Sequence, residues 1–315
     1  MKVGIIGLGY VGLPLAIEIS KSYDVLGYDN NHTRVETLQN GVDPNGDVSE
    51  GELKGFSGDF LSEKRVNELA DCDVYIVTVP TPVGRGDTPD LSTLFEASEL
   101  VGSFLSEGNV VVYESTVFPG CTEDECVPIL ETVSGLKYIR DFGVGYSPER
   151  VSPGTNNSNV ADINKLISAS DPTTLDLIGN VYSSFMKANL HRCPNIKVAE
   201  LSKVYENTQR DVNIALANEV SMLCYSLNIN YQDVLAAASS KWNFHSYVPG
   251  LVGGHCIGVD PYYLAQKAQE NGYHSEIILA GRRLNDGMGD YVASEIVKCM
   301  IKKNIPVNGA KVLIL

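Results

Sequence analysis

Two periodicities divide the chain. Up to about residue 190, short apolar runs alternate with amphipathic stretches. VGIIGL (3–8), DVLGYD (24–29), VYIVTV (74–79) and NVVVYES (109–115) read as β-strands, and YIRDFGVGYSP (138–148) and INKLISAS (163–170) as two more. Residues 13–20 and 91–105 keep helical spacing between them. Such alternation predicts an α/β fold, a Rossmann-like doubly wound parallel sheet with helices on both faces. After Cys193-Pro194 the pattern changes. Residues 196–227 contain no proline or glycine and repeat apolar positions at helical spacing (Val198, Leu201, Val204, then Ile214, Leu216, Val220, Leu223), which predicts one long helix. Further helices are expected over 231–238, 261–271 and 275–303, with the glycine-rich loop VPGLVGGHCIG (248–258) among them. The closing NGAKVLIL (308–315) reads as a turn and a fresh strand with no covering helix. The expected organisation is therefore a nucleotide-binding domain over 1–193, an all-helical central domain over 194–304, and in 305–315 the first strand of a truncated third α/β domain.

Composition narrows the class. The 315 residues are 43% hydrophobic and 20% charged, ordinary for a globular chain long enough to bury a core. No apolar run approaches the roughly 18 residues that span a bilayer, and no signal peptide is visible, so a cytoplasmic protein without a membrane partner is expected. A net charge of -15 argues against a nucleic-acid polymer as partner, since such binding rests on neutralising phosphates. It leaves room for a nucleotide held at a helix N-terminus. Seven scattered cysteines suggest reduced thiols. Cys121 and Cys126, with no second pair nearby, are poorly spaced for zinc, and no metal is expected.

The most specific local signal is GLGYVG. Gly7, Gly9 and Gly12 follow a strand and open a helix. That spacing gives a tight turn, lets the backbone approach a pyrophosphate, and lets helix and strand pack closely. Asp29 ends the next strand, where a carboxylate accepts from both ribose hydroxyls and repels a 2′-phosphate, favouring NAD over NADP. Arg34 is the nearby cation that works against that preference.

Three further segments hold polar residues that periodicity does not explain. On the long helix, Glu200, Lys203, Asn207 and Arg210 share one face. A solvated charged face is the plain reading; a pair of donors for an oxyanion, Lys203 with Asn207, is the chemical one. In GGHCIGVDP, glycines flank Cys256 and Asp260 follows four residues later. A buried structural cysteine is the usual fate of the residue, but this polar, flexible setting suits a nucleophile, whose thiolate would need a cation such as Lys203. At predicted strand ends, YESTVFPG (113–120) carries Thr116 and YSPER (146–150) carries Glu149, able to position a water or relay a proton.

Taken together, GLGYVGLPLA, VPTPV, YESTVFPGCTE, YSPERVSPG, AELSKVYENTQRDVNIALANE, VGGHCIGVDPYYL and AGRRLND resemble the UDP-glucose/GDP-mannose dehydrogenase family over nearly the whole chain. GGHCIGVDPYYL, SPER followed by Pro153, SKWNF and GCTEDECVPIL look closest to the branch that oxidises UDP-N-acetylglucosamine or UDP-N-acetylgalactosamine at C6 for Vi-type and O-antigen polysaccharides. UDP-glucose and UDP-N-acetylmannosamine 6-dehydrogenases are the neighbouring alternatives. The resemblance implies Cys256 as nucleophile, Lys203 and Asn207 as oxyanion stabilisers, Asp260 as a proton-handling or orienting residue, and Thr116 with Glu149 holding the hydrolytic water. It implies NAD against Gly7, Gly9, Tyr10, Val11, Gly12, Asp29, Arg34, Thr81, Pro82, Ser115 and Thr116. The sugar nucleotide would lie against Glu149, Arg150, Val151, Lys203, Asn207, Arg210, Gly253 and Gly254. UDP-glucose enzymes carry a second glutamate where this chain has Pro153, which supports a different sugar pocket. The family's third domain, which grips the uridine nucleotide, would begin at KVLIL.

Two rivals stand beside this reading. Hydroxyacid and 6-phosphogluconate-type dehydrogenases also join a Rossmann domain to a helical one and use a lysine and an asparagine four apart; they need no cysteine and stop after one hydride. A non-catalytic NAD-binding and dimerisation module is the alternative of another class. The helix at 196–227 is long enough to suggest a homodimer formed through it.

Overall fold

The computed structural model describes residues 1–82, 84, 89–150, 160–254 and 257–314. It divides into two compact units, Met1–Val204 and Tyr205–Leu315.

The first unit is built on eight strands: β1 (Lys2–Ile6), β2 (Asp24–Tyr28), β3 (Asp59–Leu61), β4 (Val74–Val77), β5 (Val110–Tyr113), β6 (Gly143–Tyr146), β7 (Lys165–Ala169) and β8 (Leu190–Arg192), in the order β3-β2-β1-β4-β5-β6-β7-β8. The helices between them are α1 (Gly12–Ser20), α2 (His32–Gln39), α3 (Glu50–Lys54), α4 (Ser92–Gly102), α5 (Val127–Ser134) and α6 (Pro172–Ser183). Along each strand successive side chains enter opposite cores. Tyr75, Val77, Val111, Tyr113, Val144 and Tyr146 pack with Leu94, Val101 and Leu130 of α4 and α5. Val74, Ile76, Val110, Val112 and Ile167 pack with Leu13, Leu15, Val35 and Ile178 of α1, α2 and α6. This is why the strand sequences are continuously apolar instead of alternating: both faces are covered. Each such aliphatic side chain contributes about 1.5–3 kcal/mol on burial.

One expectation is corrected. The sheet is mixed, because β6 and β7 pair antiparallel, Gly145 opposite Ala169 and Tyr146 opposite Ser168. Between Tyr146 and Lys165 the described residues contain only the short 3₁₀ turn Val160–Asp162 and no crossover helix of the kind a parallel pair requires. β8 then runs parallel to β7. The three-residue strands β3 and β8 were not anticipated, being too short to show a pattern. On the α6 side of β6, a Cβ added at Gly143 would lie 2.3 Å from Thr174 Oγ1, and one at Gly145 would lie 2.2 Å from Ile178 Cδ1. The helix therefore packs directly on strand backbone.

The remaining helices are α7 (Ile196–Ser226), α8 (Tyr231–Ser239), α9 (Asp260–Glu270) and α10 (Glu276–Lys302), close to their predicted bounds. Asn230 caps α8 by accepting the Gln232 N–H at 2.9 Å. The expected terminal strand is not formed among the described residues. Residues 310–314 form no strand, and Val312, Leu313 and Ile314 are 63%, 80% and 90% exposed. A strand exists only by pairing, and none of the described strands pairs with this segment. Among the described residues no helix is long and apolar enough to cross a membrane.

Candidate active site

In the first unit, the order of strands reverses at β1 and β4, which places the residues after them at the position where open α/β sheets bind ligands. Gly7 leaves β1 with φ +97° and donates its N–H to Tyr28 O at 2.8 Å, locking the turn to the end of β2. A Cβ at Gly12 would sit 1.9 Å from Gly7 O and 2.4 Å from Thr78 Oγ1, so the first turn of α1 closes on bare backbone. Thr78 Oγ1 is bonded there, donating to Gly7 O at 2.7 Å. Gly9 is the opposite case: nothing lies within 4 Å of where its Cβ would be, leaving the backbone open for a phosphate to approach.

The acid after β2 has the expected place. Asp29 accepts the Leu8 N–H on Oδ2 and the Asn31 N–H on Oδ1, both at 2.8 Å. These bonds orient the carboxylate, and each oxygen keeps a second lone pair for a ribose hydroxyl. Arg34 is committed to the protein. Its Nε donates to Leu8 O at 3.0 Å and its Nη1 pairs with Asp43, while Nη2 is buried with no protein acceptor. Burial would raise the Asp43 carboxyl, but the Arg34 hydrogen bond and the N–H groups of Val48 and Asn45 outweigh it and hold the carboxyl below its usual range. A neutralised Arg34 is a weak site for a 2′-phosphate, and its orphaned Nη2 suits a neutral nucleoside group. The residues fit NAD.

Neighbouring loops are tied to one another. Thr81 Oγ1 donates to Thr116 O and Ser115 Oγ to Val79 O, each at 2.6 Å, joining the segment after β4 to the segment after β5. Tyr10 and Pro82 are exposed, and Val11 is buried. The SPER turn ends β6, with Glu149 buried and Arg150 half-buried, its Nη1 donating to Asn164 O at 2.9 Å. Val151 and Pro153 lie outside the described residues.

The face of α7 is not a solvated one. Glu200, Lys203 and Asn207 are all buried; Arg210 alone of the four is exposed. Glu200 accepts the N–H groups of Gly120 and Thr122 at 2.5 and 2.9 Å. Burial pushes its carboxyl up against the effect of those bonds. Its place is that of a clamp on the loop carrying Thr116.

In the second unit, Asn207 Nδ2 donates to Asp260 Oδ2 at 2.6 Å, and both residues are buried. The bond assigns the amide orientation and leaves one Nδ2 hydrogen for another acceptor. Asp260 stands in the first turn of α9, where the helix dipole favours its charge. Arg210 Nη1 approaches Asn207 Oδ1 at 3.4 Å. Gly253 and Gly254 are exposed, and Cys256 lies outside the described residues.

Sequence reasoning missed the polar network beneath this loop. Asn218 and Gly250 exchange two hydrogen bonds, Nδ2 to Gly250 O at 3.0 Å and Gly250 N–H to Oδ1 at 2.8 Å. Asn218 also donates to Asn285 Oδ1 at 2.9 Å, Asn285 to Asp211 Oδ1 at 2.8 Å, and Arg282 Nη1 to Asp211 Oδ1 at 2.6 Å. A Cβ at Gly258 would lie 3.8 Å from Arg282 Nη2. The network thus tethers the loop at Gly250 and underlies it at Gly258. Asp211 and Asn218, seven residues apart on one helical face, were the available signal. No cluster that could hold a metal occurs among the described residues.

The profile of the UDP-glucose/GDP-mannose dehydrogenase family, NAD binding domain, matches residues 1–186, and that of the family's central domain matches residues 197–287. A UDP-N-acetyl-D-glucosamine 6-dehydrogenase of Salmonella typhi is 54% identical over 316 residues, covering 100% of this chain and 74% of that protein. One from Pseudomonas aeruginosa is 51% identical over 315 residues with the same coverage, 100% and 74%. Among solved structures, a UDP-D-ManNAc dehydrogenase from Pyrococcus horikoshii superposes with a TM-score of 0.88 at 34% identity, covering 97% of this chain and 73% of that one.

Proposed function

This chain belongs to the UDP-glucose/GDP-mannose dehydrogenase family, and from that premise we propose that it is an NAD-dependent enzyme oxidising the C6 alcohol of a UDP-N-acetylhexosamine, UDP-N-acetylglucosamine first, to the carboxylate. The observation that carries this reading is likeness across the whole chain, through both the nucleotide turn and the Cys256 loop, to proteins named for that activity.

Gly7, Gly9, Tyr10, Val11, Gly12, Asp29, Arg34, Thr81, Pro82, Ser115 and Thr116 would hold NAD, which would supply the hydride acceptor for both oxidations. Lys203 and the Asn207 amide stabilise negative charge on the C6 oxygen, and Asp260 holds Asn207 in the donating orientation. Cys256 captures the aldehyde as a thiohemiacetal, whose oxidation gives a thioester. Thr116 and Glu149 hold the water that releases the acid. Arg150, Val151, Arg210, Gly253 and Gly254 line the sugar nucleotide. We place the enzyme in the cytoplasm, in keeping with cysteines that are unpaired among the described residues.

The test is stoichiometry. Two NADH are expected per UDP-N-acetylglucosamine consumed, with UDP-N-acetylgalactosamine, UDP-N-acetylmannosamine and UDP-glucose assayed alongside. One NADH per sugar would return the simpler one-hydride dehydrogenases, and no turnover with any of the four would favour a binding module.

The enzyme is further proposed to act as a homodimer through α7. Tyr205, Leu216 and Leu223 lie three or two turns apart on one helical stripe and are 63%, 60% and 54% exposed. A stripe of large apolar side chains fits a two-fold partner. Light scattering is expected to give twice the chain mass, and a monomer would defeat the assignment.

A further inference from the structure

We propose that Lys165, charge-balanced by Glu114, is a positioning residue for the hydrolytic step: its ammonium holds the turn Ser147–Pro148–Glu149 and so keeps the Glu149 carboxylate where water is activated. The proposal rests on the assignment of that water to Glu149.

Lys165 is the first residue of β7 and is only 5% exposed. Because β7 runs against β6, its first residue arrives at the edge where β5 and β6 end. There Lys165 Nζ donates to Glu114 Oε2 at 2.7 Å and reaches Pro148 O at 3.4 Å. Glu114 follows β5, is 1% exposed, and accepts the Tyr182 hydroxyl on its other oxygen. Tyr182, buried in α6, also lays its ring 5.3 Å from the ammonium. The residue before Pro148 is fixed separately: Ser147 N–H donates to Tyr113 O at 2.9 Å and its hydroxyl to Leu166 O at 2.8 Å. The Lys165 contact extends that hold by one residue, to the carbonyl directly preceding Glu149.

A buried lysine–glutamate pair is seldom worth more to stability than apolar side chains of the same volume. Apolar side chains could not donate to the Pro148 carbonyl. Nor could they offset charge. Glu114 is pushed above its usual range by burial, with Glu149 adding to the rise and Lys165 opposing it. Lys165 is thus a cation that lets Glu114 and Glu149 stand near one another, with the Tyr182 and Ser147 hydroxyls as further polar groups beside them.

In the step concerned, water oxygen adds to the thioester carbonyl carbon and the C–S bond breaks. The sulfur leaves as the Cys256 thiolate, and a water proton passes to Glu149. No electrons are exchanged.

Lys165→Met alone would strand the Glu114 charge, so the decisive variant is Glu114→Gln with Lys165→Met, neutral and close in volume. It is expected to melt near the wild type and to give a rapid burst of two NADH per active site. Steady turnover is expected to fall about tenfold, the loss of one positioning contact, with the acyl adduct on Cys256 visible in the mass of quenched enzyme. Unchanged steady turnover, or burst and steady rate falling together, overturns the proposal. Glu149→Gln is measured beside it. If that variant traps no acyl-enzyme, the assignment of Glu149 and this proposal fall together. If it traps one and the double variant does not, only the role of Lys165 falls.

Discussion

Exchange of Cys256 for alanine is expected to slow formation of the uronate by at least about a thousandfold, the scale on which removal of a covalent nucleophile acts. Without the thiol, the aldehyde produced by the first oxidation has to hydrate before it can be oxidised again, and it is free to leave. A residual route through the hydrate would still yield two NADH per sugar, so counting cofactor does not decide the matter. The rate does, together with aldehyde in solution trapped by a hydrazine reagent. NAD affinity, read by the shift in melting temperature, is expected to stay as it was, since Gly7 and Asp29 are fixed by Tyr28 O and the Leu8 N–H and Gly12 packs on Gly7 O, all within the first unit. Uronate at more than a tenth of the wild-type rate would remove Cys256 from the mechanism.

Arg282→Met is the substitution expected to cost most in stability, about 3–5 kcal/mol, because it leaves Asp211 as a buried charge without its cation. The two side chains are 4% and 0% exposed and meet at 2.6 Å. Even with Arg282 present, burial pushes the Asp211 carboxyl up against the effects of Asn285 and Arg282. Removing the guanidinium pushes it further. A carboxyl whose folded pKa exceeds its unfolded value binds more protons in the native state, so stability falls as pH rises through the window between the two. The deficit of the variant is therefore expected to be smaller at pH 5 than at pH 8 in urea unfolding. A loss below about 1 kcal/mol, or one independent of pH, would show that the pair is not the stabilising centre of the network.

The sheet was legible wherever burial on both faces forces an uninterrupted apolar run. VYIV and VVVY could hardly be anything else. β3 and β8 were not, since three residues at a sheet edge carry too little side-chain information. The direction of β7 was hidden for a different reason: strand polarity depends on whether a crossover helix intervenes, and the apolar content of KLISA is the same either way. At the site, the glycine turn and Asp29 were legible because each glycine is demanded by a local close approach. Glu200 was found, but as a member of a charged face, because its partners at Gly120 and Thr122 lie about eighty residues earlier. Lys165, Glu114, Arg282 and Asn218 escaped for the same reason. Their meaning resides in long-range pairings that no spacing announces, although a lysine opening an otherwise apolar strand was a visible anomaly.

Gly143 and Gly145 have a bearing on how this protein can change over generations. Being two apart on a strand, they expose the same strip of backbone, and α6 rests on it. Even alanine at either position would force Thr174 or Ile178 aside, and everything layered behind them with it. Drift at 143 is closed unless the helix drifts first, by losing bulk at 174, and at 145 the Ser168 carbonyl oxygen, 2.8 Å from where a Cβ would lie, bars the way even after bulk is lost at 178. Accessible variants of this half of the sheet therefore form a one-way street: cavity before filling, never the reverse.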